Sequence, residues 1–183
     1  MSAVPRRLTA DEFAAMPHQG LRLELIRGKI VAMAPAFGDH GSTTMQLSIL
    51  LGQFVLTHKL GRVYAAETGF LLARNPDTVR APDVAFIQTS RLTAETDSPN
   101  WVPVIPDLVG EVVSSTDRKT QVVDKVRTWL TAGVRLVWVA YPSKGIIEVH
   151  RPHHPLIALN TSDQLDGYDV VPGFTAPVAR VFE

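Results

Sequence analysis

Ala81-Pro-Asp-Val-Ala-Phe-Ile87 and Leu108-Val-Gly-Glu-Val-Val113 are the two stretches that decide the fold. Each is a short apolar run that carries one acid, Asp83 in the first and Glu111 in the second. Apolar runs of this length predict buried strands, and the apolar side chains of residues 118–132 recur at helical spacing. Strands and helices in this order predict a single α/β domain over residues 1–183, with a central mixed β-sheet flanked by α-helices.

The composition excludes several classes of protein. The chain has 183 residues, 45% of them hydrophobic, and no cysteine. The lack of cysteine rules out disulfides and thiolate metal sites, and it favours a reducing cytoplasm. Residues 1–7 lead into a polar segment without an apolar core, which predicts no signal peptide. Residues 41–57 lack charge but contain several Ser, Thr and Gln residues, so we expect an amphipathic helix and no membrane span.

The charge is balanced, with 18 Lys and Arg residues against 18 Asp and Glu residues. A protein whose main function is to bind nucleic acid usually has more basic than acidic residues. The balance therefore weakens a nucleic-acid assignment. It is still compatible with a local basic groove beside an acidic site.

Hydrophobic periodicity and turn signals predict the remaining elements. The first are a capped helix over residues 9–15, a hairpin over 21–33, and a long helix that follows the run Gly38-Asp-His-Gly41 and ends near His58. Strands over 63–72 and 79–87 come next, then a long loop over the site at 88–106, a strand over 108–113, a helix over 118–132, and strands over 134–140 and 146–151.

The two acids are the candidate chemical site. Asp83 and Glu111 each stand in an apolar strand, where an unpaired carboxylate is costly to bury. A magnesium or manganese ion would offset that cost, because Mg²⁺ prefers carboxylate oxygens, waters and substrate phosphates. The backbone carbonyl of Val112 is a candidate third oxygen ligand. We therefore expect hydrolysis of a phosphodiester by water.

Lys125 is the third residue expected in the candidate site, beside Asp83 and Glu111. It lies on the flank of the apolar helix face, where its stem packs beside Val122 and Trp129 while its amine reaches toward the acids. A lysine there can orient or deprotonate the attacking water.

Each residue also has a plainer interpretation. Glu111 can be a structural ion-pair member, and Lys125 an ordinary solvated helix lysine. Asp83 follows Pro82, but Pro106-Asp107 is a second copy of that dipeptide. We prefer Asp83 because it falls inside a strand pattern. His150, His153 and His154 surround prolines and predict a surface turn and no zinc site.

A resemblance covers almost the whole chain. The segments that carry it are Glu24-Leu-Ile-Arg-Gly-Lys-Ile-Val31, His40-Gly41, Thr68-Gly-Phe70, Arg80-Ala-Pro-Asp-Val-Ala-Phe86, Pro106-Asp-Leu-Val-Gly-Glu-Val-Val-Ser114, Lys125, Ala132-Gly-Val-Arg-Leu-Val-Trp-Val139 and Pro172-Gly-Phe174. In this order they resemble the PD-(D/E)XK nuclease superfamily, which has the restriction-endonuclease-like fold, and more closely the Uma-type family of small bacterial endonucleases.

The resemblance implies metal-dependent cleavage of DNA. It makes Asp83 and Glu111 the metal ligands and Lys125 the catalytic lysine, displaced from the strand onto the next helix because the usual position is Val113. It makes Glu24 an accessory catalytic acid and places His40 near the site.

Several residues around the start of the last predicted helix complete the candidate site. Ser114, Arg118 and Gln121 are candidates for lying near the site or binding substrate, and Lys119 and Arg127 for contacting phosphates. Two positions depart from the family pattern: Ser115 replaces a usual proline, and Gln121 an acid.

Two functions follow for testing. The first is an endonuclease, expected to be a homodimer because cutting both strands of a duplex favours two copies. The second is a lapsed nuclease fold that binds nucleic acid or protein, which the neutral charge, Val113 and Gln121 favour.

Overall fold

The computed structural model describes residues 6–17 and 20–183. The helices in this part of the chain are α1 (Ala10–Ala14), α2 (Gly38–His58), α3 (Lys119–Ala132) and α4 (Val178–Val181). The strands are β1 (Arg22–Ile26), β2 (Lys29–Met33), β3 (Gly61–Ala65), β4 (Phe70–Ala73), β5 (Thr78–Arg80), β6 (Val84–Gln88), β7 (Leu108–Val112), β8 (Leu136–Tyr141), β9 (Ile146–His150), β10 (Ile157–Asn160), β11 (Gln164–Asp166) and β12 (Thr175–Pro177). None of the described helices is long and apolar enough to cross a membrane.

A six-stranded sheet organises the fold, with the strand order β10-β9-β8-β7-β6-β3. β7 and β8 are parallel, and the other neighbours are antiparallel, so the sheet is mixed. Leu47 and Leu51 of α2 pack on one face, and Val126 and Trp129 of α3 pack in the core on the other. The predicted mixed sheet flanked by helices is therefore confirmed.

α3 connects β7 to β8 and carries Lys125, one of the candidate site residues. α3 ends at Gly133, whose φ of 107° is a conformation that glycine adopts without a steric penalty. β8 then runs through the middle of the sheet, and its first five residues are fully buried. This agrees with the prediction of a central strand covered on both faces.

A second sheet, with the order β2-β1-β5-β4, lies beside the first. β1 and β2 form the predicted hairpin, and Arg27 and Gly28 in its turn both have positive φ, at 50° and 75°. The primed turn type that joins such short hairpins requires this conformation. The predicted capping box at the start of α1 is present, because Glu12 and Thr9 exchange hydrogen bonds.

Two predicted strands are wrong in their extent. The strand expected over residues 63–72 is divided into β3 and β4, which belong to different sheets. Glu67 reverses the chain between them with a φ of 72°. The strand expected over residues 79–87 is divided into β5 and β6 at Pro82, because proline has no N–H to continue the ladder. The chain therefore crosses between the sheets just before Asp83.

The predicted loop over residues 88–106 is only partly irregular. It contains two short 3₁₀ turns, Thr89–Arg91 and Ala94–Asp97. Val102 is buried and forms an isolated parallel bridge with Phe70. This segment is therefore tied to the smaller sheet.

Candidate active site

The antiparallel pairing of β6 and β7 brings the two acids together. Val84 pairs with Gly110 at the end of the ladder, so Asp83 and Glu111 stand one step further at the same edge of the sheet. Both side chains are buried, with relative exposures of 4% for Asp83 and 5% for Glu111. An acid pair in this position is electrostatically coupled, because burial weakens the screening of each charge.

Glu111 is held by two donors from α3. The Lys125 Nζ lies 2.7 Å from its Oε2 atom, and the Trp129 Nε1 donates to its Oε1 atom over 2.7 Å. Lys125 and Trp129 are four residues apart, so they project from the same side of the helix. Burial raises the pKa of Glu111 to about 7, and the charges of Asp83 and Glu24 add to the effect of burial while Lys125 opposes it.

Asp83 is held by its backbone neighbour and by a histidine. The backbone N–H of Val112 donates to its Oδ2 atom over 2.8 Å, and the Nε2 atom of His40 lies 3.4 Å from the same oxygen. Burial opposes ionisation of Asp83, but the His40 hydrogen bond, the Lys125 charge and the Val112 N–H together lower its pKa. The same hydrogen bond raises the pKa of His40 against the effect of its own burial.

Lys125 carries its charge inside this cluster. Burial disfavours the ammonium form, but the carboxylates of Glu111, Glu24 and Asp83 outweigh burial and raise the pKa of Lys125. A lysine in these surroundings stays protonated at neutral pH.

Glu24 reaches the same region from β1 of the smaller sheet and is 3% exposed. Its carboxylate accepts from Arg80 Nη1 over 2.8 Å and from the backbone N–H of Ala81 over 3.1 Å. Glu24 therefore fixes the backbone just before the Pro82-Asp83 segment.

The residues at the start of α3 are placed differently. Gln121 is exposed and accepts from the backbone N–H of Arg118, so it caps the helix. The backbone N–H of Ser114 donates to Asp117 over 2.8 Å. In the described part of the chain, Ser114, Arg118 and Gln121 form no hydrogen bond or ion pair with the two acids. Arg118 and Gln121 are exposed, and Ser114 is half-buried.

Val113 occupies the position at the end of β7 where the family pattern would place the lysine. Its backbone N–H donates to Ala140 in the neighbouring strand, and its side chain packs against the core beneath α3. Lys125 reaches Glu111 from α3 instead, and its Nζ atom lies beside Oε2.

Three contacting residues were missed by sequence reasoning. Trp129 was assigned only to the apolar face of the helix, although its spacing from Lys125 was the available signal. Arg22 lies 3.9 Å from Asp83 Oδ1, and it shares a strand face with Glu24 because the two are separated by one residue. Arg80 pairs with Glu24, and only its place beside the Ala81-Pro82-Asp83 motif pointed to it.

A cleft opens beside these groups, with a volume of about 320 Å³. Arg22, Glu24 and Lys125 line it together with Trp101 and Val79. Within the described residues, no group of three or more His, Cys, Asp or Glu side chains is arranged to hold a metal ion. A cation here would therefore depend on two carboxylates completed by backbone oxygen, water or substrate.

Asp107, the acid that shares the Pro-Asp dipeptide, lies at the opposite end of β7. It is fully buried and accepts from the Gln88 N–H and from Arg91, over 2.9 and 2.8 Å. These contacts give it a structural role in joining the strand to the preceding segment.

Comparison with known proteins agrees with this architecture. The model of the Uma2 family, described as "Putative restriction endonuclease", matches residues 10–179. A crystal structure described as "a putative nuclease belonging to DUF820 from Anabaena variabilis ATCC 29413" is similar over 96% of this chain and 97% of that chain, with a TM-score of 0.83 and 20% identity. No curated protein matches.

At that level of identity the Anabaena structure establishes the shared fold. It agrees with the restriction-endonuclease-like architecture indicated by the order of the motifs. Because the family model spans nearly the whole chain, the protein belongs to the Uma2 family.

Proposed function

We propose that the protein is an endonuclease that hydrolyses DNA phosphodiester bonds with the help of a divalent cation, Mg²⁺ or Mn²⁺, held by Asp83 and Glu111. The observation that carries the proposal is a pair of buried carboxylates at one sheet edge, with a charged lysine 2.7 Å from one of them. The family description and the fold of the Anabaena protein support a nuclease.

The donor set fits such a cation. All the side-chain donors are carboxylate oxygens, the hard ligands that Mg²⁺ and Mn²⁺ prefer. Burial chiefly raises the pKa of Glu111 to about 7, and the charges of Asp83 and Glu24 add to this while Lys125 opposes it. A cation between the carboxylates would stabilise their charged forms, with the Val112 carbonyl as a further candidate ligand. When bound, it supplies positive charge beside the phosphate and makes a nearby water more acidic.

Lys125 orients the reactants in this proposal. Its raised pKa keeps the ammonium charged, so it donates hydrogen bonds and does not accept a proton. Donation to the attacking water or to a phosphate oxygen positions the reaction and stabilises the developing negative charge. Of the two roles expected from the sequence, the proposal therefore adopts the orientation of the attacking water.

The surrounding residues position the acids. His40 and the Val112 N–H both hold the Oδ2 atom of Asp83. Glu24 acts as an accessory acid through its bonds to Arg80 and the Ala81 N–H, which fix the segment leading to Asp83. In this proposal the DNA backbone is contacted by Arg118, which is exposed just before α3, and by Ser114, which is half-buried in the preceding turn.

A plasmid cleavage assay in Mg²⁺ or Mn²⁺ tests the proposal. The variants are Asp83→Asn, which keeps the shape of the side chain, and Lys125→Met, which keeps its length. Matched controls are Asp124→Asn, an exposed acid on α3, and Lys59→Met, an exposed lysine at the opposite end of α2 from His40.

We expect cleavage by the wild type and the controls, and a loss of at least about 100-fold in both site variants. Equal background with all five proteins, at preserved folding, would refute the nuclease and leave the binding-module alternative. Loss of activity in Asp83→Asn alone would refute the assigned role of Lys125.

A further inference from the structure

Arg22 of β1 is a cation beside the candidate site that is held more loosely than its neighbour Arg80. Its Nε atom lies 3.4 Å from Glu67 Oε1, and its Nη2 atom lies 3.9 Å from Asp83 Oδ1. Both distances exceed the roughly 2.7–3.2 Å of an ordinary N–H···O hydrogen bond. Arg80, in contrast, bonds Glu24 over 2.8 Å, and its side chain is 11% exposed against 29% for Arg22. Arg80 is therefore in a closed structural pair, whereas Arg22 keeps N–H groups that can reach a further acceptor.

Arg22 and Lys125 face the same cleft from two different elements. Both side chains line the cleft of about 320 Å³ beside the acids. Lys125 comes from α3 and lies 2.7 Å from Glu111, while Arg22 comes from β1 and approaches Asp83. Each acid of the candidate pair therefore has a cleft-lining cation beside it, and an anionic group in the cleft meets positive charge from both elements.

The two oxygens of Asp83 have different partners. Oδ2 accepts from the Val112 N–H over 2.8 Å and lies 3.4 Å from the Nε2 atom of His40. Arg22 approaches the other oxygen, Oδ1. A phosphate that enters the cleft toward this carboxylate therefore comes within reach of the guanidinium.

Glu67 is a weak partner for Arg22. It lies in the turn between β3 and β4, and its side chain is 69% exposed, so water screens its attraction for the guanidinium. A phosphodiester presents two non-bridging oxygens, which match the planar fork of an arginine. A phosphate in the cleft can therefore replace Glu67 as the partner of Arg22.

We propose that Arg22 is a substrate-binding residue, whose guanidinium binds the non-bridging oxygens of the phosphodiester, and that Glu67 holds it at the cleft until the phosphate replaces this carboxylate. The inference rests on the proposed function, since it takes a DNA phosphate as the ligand of the cleft. The alternative is a structural pair, in which Arg22 only fastens β1 to the turn that carries Glu67.

Fluorescence anisotropy with a labelled DNA duplex of about 20 base pairs tests the proposal. Binding is measured in EDTA between about 50 and 200 mM KCl, so that cleavage does not enter the readout. The variants are Arg22→Met, which removes the charge, and Arg22→Lys, which keeps the charge without the planar fork. The matched control is Arg180→Met on α4, whose partner Glu183 lies 3.1 Å away. α4 packs in the core on the opposite face of the main sheet from α3.

Arg22→Met is expected to weaken binding at least about 10-fold. It should also lower the magnitude of the slope of the log binding constant against log KCl by roughly 0.9, the value of one phosphate contact. Arg22→Lys should bind more weakly than wild type but keep the wild-type slope, because the ammonium retains the charge and loses the two-point contact. Arg180→Met should match wild type in both quantities. A structural role for Arg22 does not predict different slopes for the Met and Lys variants.

Glu67→Gln gives a second readout of opposite sign. Removal of the competing carboxylate should tighten DNA binding about threefold or more in the wild-type background, and should have no effect in the Arg22→Met background, because no guanidinium remains to be released. Glu183→Gln is the control for the loss of one negative charge. Equal tightening by Glu67→Gln in both backgrounds would overturn the role of Glu67.

The role of Arg22 would be overturned by equal salt slopes for wild type and Arg22→Met, with circular dichroism showing native folding of both. A wild type that does not bind the duplex at about 50 mM KCl and 100 µM protein would overturn it as well. These results are distinct from the plasmid assay. Cleavage by a wild type whose salt slope does not depend on Arg22 would uphold the nuclease and refute this inference, whereas the expected slopes without cleavage would refute the nuclease alone.

Discussion

The protonation of Glu111 makes a quantitative prediction about stability and pH. Its pKa is raised from 4.5 to about 7 in the folded protein, chiefly by burial. At about 1.4 kcal/mol per unit, this shift corresponds to roughly 3 kcal/mol of unfolding free energy. The folded state binds this proton more tightly than the unfolded state, so the stabilisation is complete below pH 4.5 and is lost as the pH rises through 7.

The titrations of Asp83 and His40 set the lower and upper limits of the pH range in which Glu111 alone changes the stability. The pKa of Asp83 is lowered against the effect of burial by His40, Lys125 and Val112, so its contribution is lost only as the pH falls below its ordinary 3.8. The pKa of His40 is raised above 6.5 by its hydrogen bond to Asp83, so its contribution is lost at the upper end of the range. Between pH 4.5 and 6.5 the slope therefore belongs to Glu111.

The assay is urea denaturation at pH 5, 6, 7 and 8 in EDTA. The unfolding free energy of the wild type should fall by about 3 kcal/mol across this range, and Glu111→Gln should remove most of the fall. The control Glu95→Gln changes an exposed glutamate and should behave like wild type. Adding Mn²⁺ at pH 8 should restore stability to the wild type, because the cation binds only the folded state. Parallel pH profiles for wild type and Glu111→Gln would refute the assignment.

Three further predictions concern the site and the fold. Trp129→Phe removes the donor 2.7 Å from Glu111 Oε1 and should cost about 2 kcal/mol at pH 8 by urea denaturation, and an unchanged midpoint would contradict this. Mn²⁺ affinity, measured by electron paramagnetic resonance of the free ion, should tighten by up to tenfold per unit as the pH rises to about 7 and then level off, because the proton on Glu111 competes. A flat profile would be evidence against Glu111 as a ligand. Gly28→Ala should cost at least about 2 kcal/mol, because its φ is 75° and its Cβ would lie 2.6 Å from the Cβ of Arg7, whereas Gly20→Ala, with the same φ and open space, should cost less. Equal costs would exclude the steric explanation.

The sequence predicted most of the elements that frame the site. Short continuous apolar runs identified β7 and β8, and an apolar face with helical spacing identified α3, because the burial of these elements follows local patterns that the residues themselves display. The order of the strands and helices along the chain likewise indicated an α/β domain with a central mixed sheet. The grouping of Asp83, Glu111 and Lys125 depended on a family resemblance, since periodicity alone does not say which acids become neighbours.

What the sequence did not predict depends on tertiary placement. The hydrophobic pattern continues from β5 into β6, and although Pro82 marks a break in the ladder, only the three-dimensional path shows that the chain changes sheets there. Arg22 approaches Asp83 from a different sheet, over a sequence separation that no local pattern spans. The exposure of Met45 and Leu56 was also hidden, because an apolar residue on a helix reads as core until the neighbouring elements are known.

A crystal grown with Mn²⁺ tests the central claim most directly, through the anomalous scattering of the metal. The account predicts one strong peak between the carboxylates of Asp83 and Glu111, at about 2.2 Å from an oxygen of each, and no such peak in Asp83→Asn. A well-ordered crystal without a peak there, or with its strongest peak at His150, His153 or His154, would contradict the proposed metal site.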